Sequence, residues 1–325
     1  MCKNSNLHAA KIAKNDEFYT QLADVEKEVK HYKDFFKGKK VLCNCNDDKW
    51  SAFFKYFTMN FEHLGLKQLV CISYNENGHG MKYTYNGDLN NNRMADDMEI
   101  VEQQLNSNGS YSSDECIELL KECDVVVTNP PFSLFRDFVA LLIQYNKKFL
   151  IIGNGNAVTY KEIFPLIKEN KMWIGHKSFS GGIDFIAGDN YDNSKCKHPK
   201  YDDKGNTIIN VMMSVWFTNI PHNKRNQPLD LFKKYNPTEY PKYDNYDAIE
   251  CSKTANIPMD YDGVIGVPIT FLDKYCPTQF EIVDARGIAL KDNLKKKSTY
   301  LIKDKDGMIN DKPTYARICI KKVSE

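Results

Sequence analysis

The chain has 325 residues, of which 42% are hydrophobic and 12% aromatic, so one large α/β domain and a smaller module can each bury a core. Its 44 basic and 43 acidic residues leave a net charge of only +1, which excludes a protein that binds polyanions through overall charge. No run approaches the roughly 20 apolar residues of a membrane span, and the first residues lack the apolar core of a secretion signal, so we expect a cytoplasmic protein without a membrane partner.

The first part of the chain alternates between helical and extended patterns. Apolar spacing predicts, in chain order, a helix over 24–36 ended by Gly38, a strand at 41–43, an aromatic-rich helix at 50–57 and a strand at 69–73. The polar, acidic segment 84–108 is interpreted as a surface insertion that contains one helix, at 97–105.

The middle of the chain continues this alternation. Ser112 and Glu115 have the spacing of a capping box, which predicts a helix from there to residue 121. The elements predicted next are a strand at 124–128, a helix at 135–145, a strand at 149–152, a helix at 160–169 and a strand at 211–217. Alternating strands and helices indicate an α/β fold with a mostly parallel sheet and crossover helices.

The composition changes from about Lys224 onwards, where prolines and tyrosines are interleaved. So many aromatic residues favour a packed, irregular module over disorder. Its predicted elements are short strands at 281–283, 300–303 and 315–321, with a hairpin turn at Asp306-Gly307. We therefore divide the chain into a larger domain, residues 1–223, and a C-terminal module, residues 224–325.

The most informative motif is Asn129-Pro130-Pro131-Phe132, directly after the predicted strand 124–128. Neither proline can donate a backbone hydrogen bond, so the strand must end in a stiff turn. Ligands of open α/β sheets bind at the carboxyl ends of the strands. There, the Asn129 side-chain oxygen and the Pro130 carbonyl can accept the two N–H bonds of an aromatic amine, while Phe132 stacks on its ring. This arrangement predicts transfer of an activated group to the amine by positioning.

A second polar turn, Asn44-Cys45-Asn46-Asp47-Asp48, follows the first predicted strand of the sheet. A dinucleotide or nucleoside triphosphate site would have a glycine-rich loop at this place, so both are disfavoured. Acidic and amide side chains can instead bind the ammonium and carboxylate groups of an amino acid. The ten cysteines include no Cys-x-x-Cys pair, which predicts free thiols and no metal site.

These residues resemble a known family. Asn129-Pro130-Pro131-Phe132 is similar to the catalytic tetrapeptide of amino-group methyltransferases, and the segment 15–20 is similar to a motif that precedes the cofactor strand in some of them. Stretches at 41–50, 60–66, 113–135, 148–164, 211–219, 240–249, 263–275 and 315–320 match EcoRI-type adenine-specific DNA methyltransferases in the family's order. The chain is therefore identified as a member of that family.

The resemblance implies a class I methyltransferase fold, Rossmann-like, with a mostly parallel seven-stranded sheet, helices on both faces and a C-terminal recognition module. It implies methyl transfer from S-adenosylmethionine to adenine N6 in double-stranded DNA by base flipping, beside a cognate restriction endonuclease. The implied catalytic residues are Asn129, Pro130, Pro131 and Phe132. The implied cofactor-binding residues are Phe18, Tyr19, Thr20, Asn44, Cys45, Asn46, Asp47 and Ser110. Lysine and arginine clusters place DNA contacts in the last 130 residues, at 195–200, Lys224-Arg225, Lys233-Lys234 and 295–297.

Two departures from the family pattern keep alternatives open. The family tends to carry an acid where this chain has Ser110, and no acid follows the strand 69–73 until Glu76, with Asp88 as another nearby candidate. A carboxylate would hold the cofactor more strongly than a serine. A catalytically silent DNA-binding relative, a protein glutamine methyltransferase and an RNA adenine methyltransferase therefore remain alternatives at this stage.

Overall fold

The computed structural model describes residues 18–90, 92, 95–187, 200–286, 307–314 and 317–323. The chain forms two compact units, residues 1–154 with 175–221 and residues 155–174 with 222–325. The second unit thus takes in the segment 155–174, which the sequence assigns to the larger domain. No helix within the described ranges is long and apolar enough to cross a membrane.

The helices are α1 (Leu22–Val29), α2 (Lys33–Phe36), α3 (Ala52–Met59), α4 (Phe61–Leu64), α5 (Asp114–Glu122), α6 (Phe135–Gln144) and α7 (Phe164–Lys168). The strands up to residue 174 are β1 (Phe18–Thr20), β2 (Lys40–Cys43), β3 (Gln68–Ser73), β4 (Met81–Tyr85), β5 (Ile100–Gln104), β6 (Val125–Thr128), β7 (Lys148–Asn154) and β8 (Trp173–Ile174). The later strands are β9 (Ile183–Ala187), β10 (Lys200–Tyr201), β11 (Thr207–Val211), β12 (Ser214–Thr218), β13 (Ile249–Glu250), β14 (Ile265–Pro268), β15 (Phe280–Arg286), β16 (Met308–Ile309), β17 (Lys312–Pro313) and β18 (Arg317–Lys322).

The large sheet has a parallel centre, as the alternation of elements predicts. Within the described residues, its strands in the first unit run in the order β5-β4-β3-β2-β6-β7-β12. The pairs β3–β2, β2–β6 and β6–β7 are parallel, whereas β4, β5 and β12 join antiparallel to their neighbours. The carboxyl ends of β2, β3 and β6 consequently lie along one edge.

Burial on both faces explains why the central strands have continuous apolar sequences. All four residues of β6 are buried, and so are five consecutive residues of β7. Helices α1 and α3 pack together beside the core. Their buried residues Val25 and Phe53 belong to one cluster with Trp216 of β12, whose ring centroid lies 6.2 Å from that of Phe53.

A smaller antiparallel sheet in the first unit has the order β1-β9-β11-β10. Its strand β1 contains Phe18, Tyr19 and Thr20, and Thr20 pairs with Phe185 of β9. This pairing fixes the position of a three-residue strand that is too short to be stable alone.

The second unit is built on the sheet β13-β14-β18-β15. Its main buried polar contact is the ion pair between Arg317 and Glu250, with Arg317 Nη2 and Glu250 Oε1 2.7 Å apart. The Tyr243 hydroxyl also donates to Glu250. The hairpin of β16 and β17 turns at Asn310 and Asp311, both with positive φ. The predicted strand 300–303 and Asp306 of the predicted turn lie outside the described residues.

Three local predictions are wrong. The predicted helix at 97–105 is instead the edge strand β5, paired antiparallel with β4, and its residues are mostly exposed. The polar composition reflects that exposed edge and carries no helical period. The predicted single strand at 211–217 is two strands, β11 and β12, which belong to different sheets and are separated by a turn at Met213 with φ +62°. Helix α5 is capped by Ser113, whose side chain accepts from Cys116 N, and not by Ser112.

The backbone of Gly109 passes very close to the end of β3. Its φ is +79°, and an added Cβ would overlap the carbonyl oxygen of Ser73. Gly181 has nearly the same φ, +80°, but nothing lies within 4 Å of its added Cβ. We expect Gly181→Ala to lower the free energy of unfolding by about 1 kcal/mol and Gly109→Ala by about 3 kcal/mol or more, because only the second adds a backbone clash. Urea denaturation of both variants measures the difference, and equal losses would contradict the close approach.

Candidate active site

A cavity of about 720 Å³ lies at the carboxyl edge of the large sheet. Four segments of the first unit supply most of its lining: 18–22, 44–48, 109–111 and 129–134, the last without Phe132. Its size falls within the range of small-molecule sites. The structure therefore brings three of the four predicted catalytic residues, Asn129, Pro130 and Pro131, and all the predicted cofactor-binding residues into one cavity.

The side-chain amide of Asn129 is hydrogen-bonded through its nitrogen, whereas its oxygen has no hydrogen-bond partner. Its Nδ2 donates to the backbone oxygen of Phe18 at 2.8 Å. A carbonyl oxygen can only accept, so this bond fixes the amide orientation and leaves Oδ1 as the free acceptor. That oxygen is buried and has no hydrogen-bond partner. Pro130 and Pro131 line the cavity next to it.

Phe132 occupies a different place from its three neighbours in the motif. The ring is half-buried and packs edge-on against Phe18, with centroids 6.1 Å apart, and against Phe185, at 6.5 Å. It does not line the cavity in this structure. Its stacking role stays a prediction, and its observed contacts hold the strand tip to β1 and β9.

The turn after β2 is tied to two neighbouring strands. Asn46 adopts φ +61° and its Oδ1 accepts from Tyr74 N at 3.1 Å. The Asp47 amide donates to the Ile72 carbonyl at 2.8 Å, and its carboxylate accepts from Thr128 Oγ1 at 2.6 Å. Because Thr128 directly precedes Asn129, the predicted cofactor turn and the catalytic tip share one support.

The environment of Asp47 disfavours the charged form of its carboxyl group. It is only 4% exposed, and burial raises the pKa of its carboxyl group to about 7. Hydrogen bonds from Thr128 Oγ1 and the Cys45 amide oppose this shift without cancelling it. The charge of this cavity-lining group therefore changes near neutral pH.

Unpartnered polar atoms collect in this cavity. Six buried side-chain nitrogen or oxygen atoms lack a hydrogen-bond partner in the described part of the chain. Three of the six belong to cavity-lining residues: Thr20 Oγ1, Asn44 Nδ2 and Asn129 Oδ1. Buried polar groups are usually satisfied, so such a concentration indicates a place for a polar ligand.

The segment around Ser110, where the family tends to carry an acid, also lines the cavity. Ser110 lines it, its amide donates to Asn108 Oδ1 at 3.0 Å, and its hydroxyl lies 3.1 Å from that of Ser112. Glu76 lines the cavity as well, whereas Asp88 does not. Glu76, the first acidic residue after β3 in the sequence, is thus available to bind the cofactor in this cavity.

Sequence reasoning missed several cavity residues. Trp50, Lys55, Tyr74 and Leu134 line the cavity without having been singled out. Tyr74 directly follows strand β3 and Trp50 lies two residues beyond the polar turn 44–48, and this nearness to strand ends was the available signal. Among the described residues, no group of three or more His, Cys, Asp or Glu side chains is placed to hold a metal ion.

The raised pKa of Asp47 predicts that the fold loses stability as the pH rises towards 7. The pKa of a carboxyl group is near 3.9 in the unfolded chain, so a folded value of about 7 stabilises the fold at low pH, and this advantage disappears as the pH rises through 7. Between pH 5 and pH 8 we expect the unaltered chain to lose on the order of 2–3 kcal/mol more unfolding free energy than Asp47→Asn. Urea denaturation at both pH values checks this. Asp203→Asn, at an exposed position that does not line the cavity, is the matched control and should leave the loss unchanged.

Comparison with known proteins accords with this geometry. Residues 6–323 match the family model described as adenine-specific methyltransferase EcoRI. The chain is 44% identical over 330 residues to the Type II methyltransferase M.EcoRI of Escherichia coli, covering 98% of this chain and 96% of that protein. It is 41% identical to the Type II methyltransferase M.MgeORF184P of Mycoplasma genitalium, covering 98% of each chain, and 41% identical to M.MpnI of Mycoplasma pneumoniae, covering 96% of each. No solved structure gives a significant match. The chain belongs to the EcoRI-type family of adenine-specific DNA methyltransferases, whose methyl donor is S-adenosylmethionine.

Proposed function

We propose that this enzyme methylates N6 of an adenine that has been flipped out of double-stranded DNA at a specific sequence. The observation that carries the proposal is the orientation of Asn129. Its amide nitrogen is engaged by Phe18, and its oxygen is a buried acceptor without a donor beside a cavity. An exocyclic amine is a donor of the kind that this oxygen lacks.

The chemistry follows from the two acceptors at the strand tip. The lone pair of an adenine amine is delocalised into the ring, which makes the nitrogen a poor nucleophile. Hydrogen bonds to Asn129 Oδ1 and to the Pro130 carbonyl favour a pyramidal nitrogen, with its lone pair directed away from both acceptors. An unsatisfied buried acceptor costs about 1–3 kcal/mol, so a bound amine also removes a cost that the free protein bears.

The residues around the turn after β2 fit S-adenosylmethionine. When bound, this cofactor supplies an electrophilic methyl carbon. Asp47 and Thr20 Oγ1 suit its ammonium group, and Glu76 suits ribose hydroxyls at the end of β3. Asn44, Cys45, Asn46 and Ser110 line the same cavity, and Phe18 and Tyr19 close it from β1. The fit rests on the unpartnered donor and acceptor atoms and on the acidic character of the lining.

The position of the acceptors supports base flipping. One N–H of the amine of a paired adenine is used in the base pair, and Asn129 Oδ1 is buried at the end of a strand. Enzymes that modify such an atom rotate the base out of the stack into a pocket. The tip stiffened by Pro130 and Pro131 would then hold the base in a fixed direction.

We further propose that the second unit recognises the DNA. Lys224 and Arg225 are already engaged there, because Lys224 Nζ lies 2.7 Å from Asp273 Oδ1 and the Arg225 guanidinium lies 4.1 Å from the Trp173 ring centroid. Lys233 and Lys234 are exposed and directly follow the exposed Phe232, a combination suited to phosphates and bases. The cluster at 295–297 lies outside the described residues, and so does the cluster at 195–200 except for the exposed Lys200 of β10.

The physiological setting completes the proposal. The three relatives compared above are named Type II methyltransferases, which supports a cognate restriction endonuclease as functional partner. Methylation of the cell's own DNA favours a cytoplasmic location for the enzyme.

Replacing Asn129 tests the catalytic assignment. We expect Asn129→Ala to lower methyl transfer to DNA by at least about 100-fold, because it removes an acceptor used in the transition state, with little change in cofactor affinity. Labelled-methyl transfer and calorimetry with S-adenosylmethionine measure the two effects.

Asn129→Asp separates the acceptor from its anchor. It keeps an acceptor oxygen but loses the N–H that binds the Phe18 carbonyl, so we expect activity well below that of the unaltered chain. Near-normal N6-methyladenine formation by Asn129→Ala, read by modified-base sequencing of DNA from expressing cells, would refute the assignment. Transfer to RNA or protein but not to DNA would select one of the alternative substrates.

The two exposed lysines test the DNA assignment. Each phosphate contact contributes roughly 0.9 to the slope of log affinity against log salt. We expect the double variant Lys233→Gln/Lys234→Gln to bind DNA more weakly and to lower that slope by up to about 2, with cofactor affinity unchanged. The control Lys161→Gln/Lys171→Gln removes the same charge from lysines that already pair with Glu162 and Glu169. Equal effects in both variants would show that net charge, and not this surface, is responsible.

A further inference from the structure

The start of helix α3 faces the cavity with groups that attract an anion. Ser51, Ala52 and Phe53 line the cavity, and the Ser51 hydroxyl caps the helix by accepting from Phe54 N at 3.1 Å. The first amides of a helix have no intrahelical acceptor and carry partial positive charge. Helix starts are common in proteins, and a helix start does not by itself indicate a ligand.

Lys55, one turn into α3, adds a full positive charge. It lines the cavity, and its ammonium lies 5.9 Å from the ring centroid of Trp50, which is itself 68% exposed and lines the cavity. Within the described ranges, no carboxylate forms an ion pair with Lys55. The neighbouring Lys49 does not line the cavity, and its ammonium is 2.7 Å from Glu102 Oε1 and 3.4 Å from Asp97 Oδ1. Lys55 thus brings to the cavity a positive charge that no ion pair within the described ranges neutralises.

Asn44 provides independent evidence for a ligand. It lines the cavity, is only 1% exposed, and its Nδ2 has no hydrogen-bond partner. Nδ2 is a donor, so it requires an acceptor atom, as does the start of a helix. An ammonium, a helix start and an unsatisfied amide donor all favour the same kind of group, an anionic oxygen.

We propose that Lys55 and Asn44 bind the carboxylate of the cofactor's methionine portion. This inference rests on the proposed function and assigns one end of the cofactor to particular side chains. A phosphate dianion fits poorly, because Asp47, Asp48 and Glu76 line the same cavity and would repel it. An amino acid group carries a carboxylate and an ammonium a few ångströms apart, which matches cationic and acidic side chains in one cavity. Trp50 limits the positions of the Lys55 ammonium through its cation–π contact.

The test compares two ligands that differ in one group, S-adenosylmethionine and its decarboxylated analogue. Calorimetry with the full chain gives both affinities for the unaltered protein, Lys55→Gln and the control Lys33→Gln, an exposed lysine that does not line the cavity. We expect Lys55→Gln to weaken S-adenosylmethionine binding by roughly 3- to 10-fold, the range of a partly exposed ion pair, and to leave the decarboxylated analogue unchanged. Lys33→Gln should change neither affinity.

A second variant tests the amide donor. Asn44→Asp replaces the donor by an acceptor of equal size, so it should weaken S-adenosylmethionine more than the decarboxylated analogue. The thermal midpoint of each variant shows whether the chain remains folded, and Lys55→Gln, at an exposed position, keeps the test valid if Asn44→Asp unfolds.

Several outcomes would overturn the assignment. If Lys55→Gln lost affinity equally for both ligands, Lys55 would contribute to binding without contacting the carboxylate. If it lost affinity for neither, Lys55 would not contact the cofactor. Unchanged cofactor affinity with weakened DNA binding in Lys55→Gln would assign the lysine to the DNA backbone. If the unaltered chain bound no S-adenosylmethionine, the proposed function itself would fail, whereas normal binding and methylation without dependence on Lys55 would reject only this inference.

Discussion

The hydrogen bond from Asn129 Nδ2 to the Phe18 carbonyl is the interaction on which the site depends. It joins residues 111 positions apart in the chain and connects the parallel sheet to the small antiparallel sheet. An isolated asparagine amide can rotate by half a turn and exchange its donor for its acceptor. The Phe18 carbonyl prevents this exchange, and the pairing of β1 with β9 holds that carbonyl in place. The smaller sheet thus determines which atom of Asn129 is offered to a substrate.

A second constraint couples the two halves of the site. The turn after β2 is bound to the end of β3 through Asn46 and to the end of β6 through Asp47. Thr128, which donates to Asp47, is covalently next to Asn129. A shift of the proposed cofactor turn would therefore be transmitted to the proposed catalytic tip within one residue. Such coupling would keep the groups proposed to position donor and acceptor in a fixed relation, which is what catalysis by positioning requires.

The sequence was most predictive where one physical signal dominated. The strand before Asn129 was predictable because its four residues are buried on both faces and two prolines end it. The edge strand β5 was not, because its exposed polar residues depend on pairing with β4 for their conformation. Likewise, nothing in the sequence around Met213 indicates the positive φ of this residue, which separates β11 from β12. Lys55 was missed in the site because its place in the cavity depends on where α3 starts relative to β2.

The distribution of unsatisfied atoms indicates that this cavity is shaped for a ligand at the expense of stability. Each buried polar atom without a partner costs about 1–3 kcal/mol, a large amount against the 5–15 kcal/mol that stabilises a typical domain. Thr20 Oγ1, Asn44 Nδ2 and Asn129 Oδ1 line one cavity, and Asp47 adds a carboxylate that burial disfavours. Packing defects would be scattered through the core and would not include donors, acceptors and an acid that match the ends of one zwitterionic molecule. A ligand that satisfies these groups offsets their cost, so binding should order and stabilise the first unit. The absence of an acid at position 110 is then compatible with cofactor binding, because three carboxylates, those of Asp47, Asp48 and Glu76, already line the cavity.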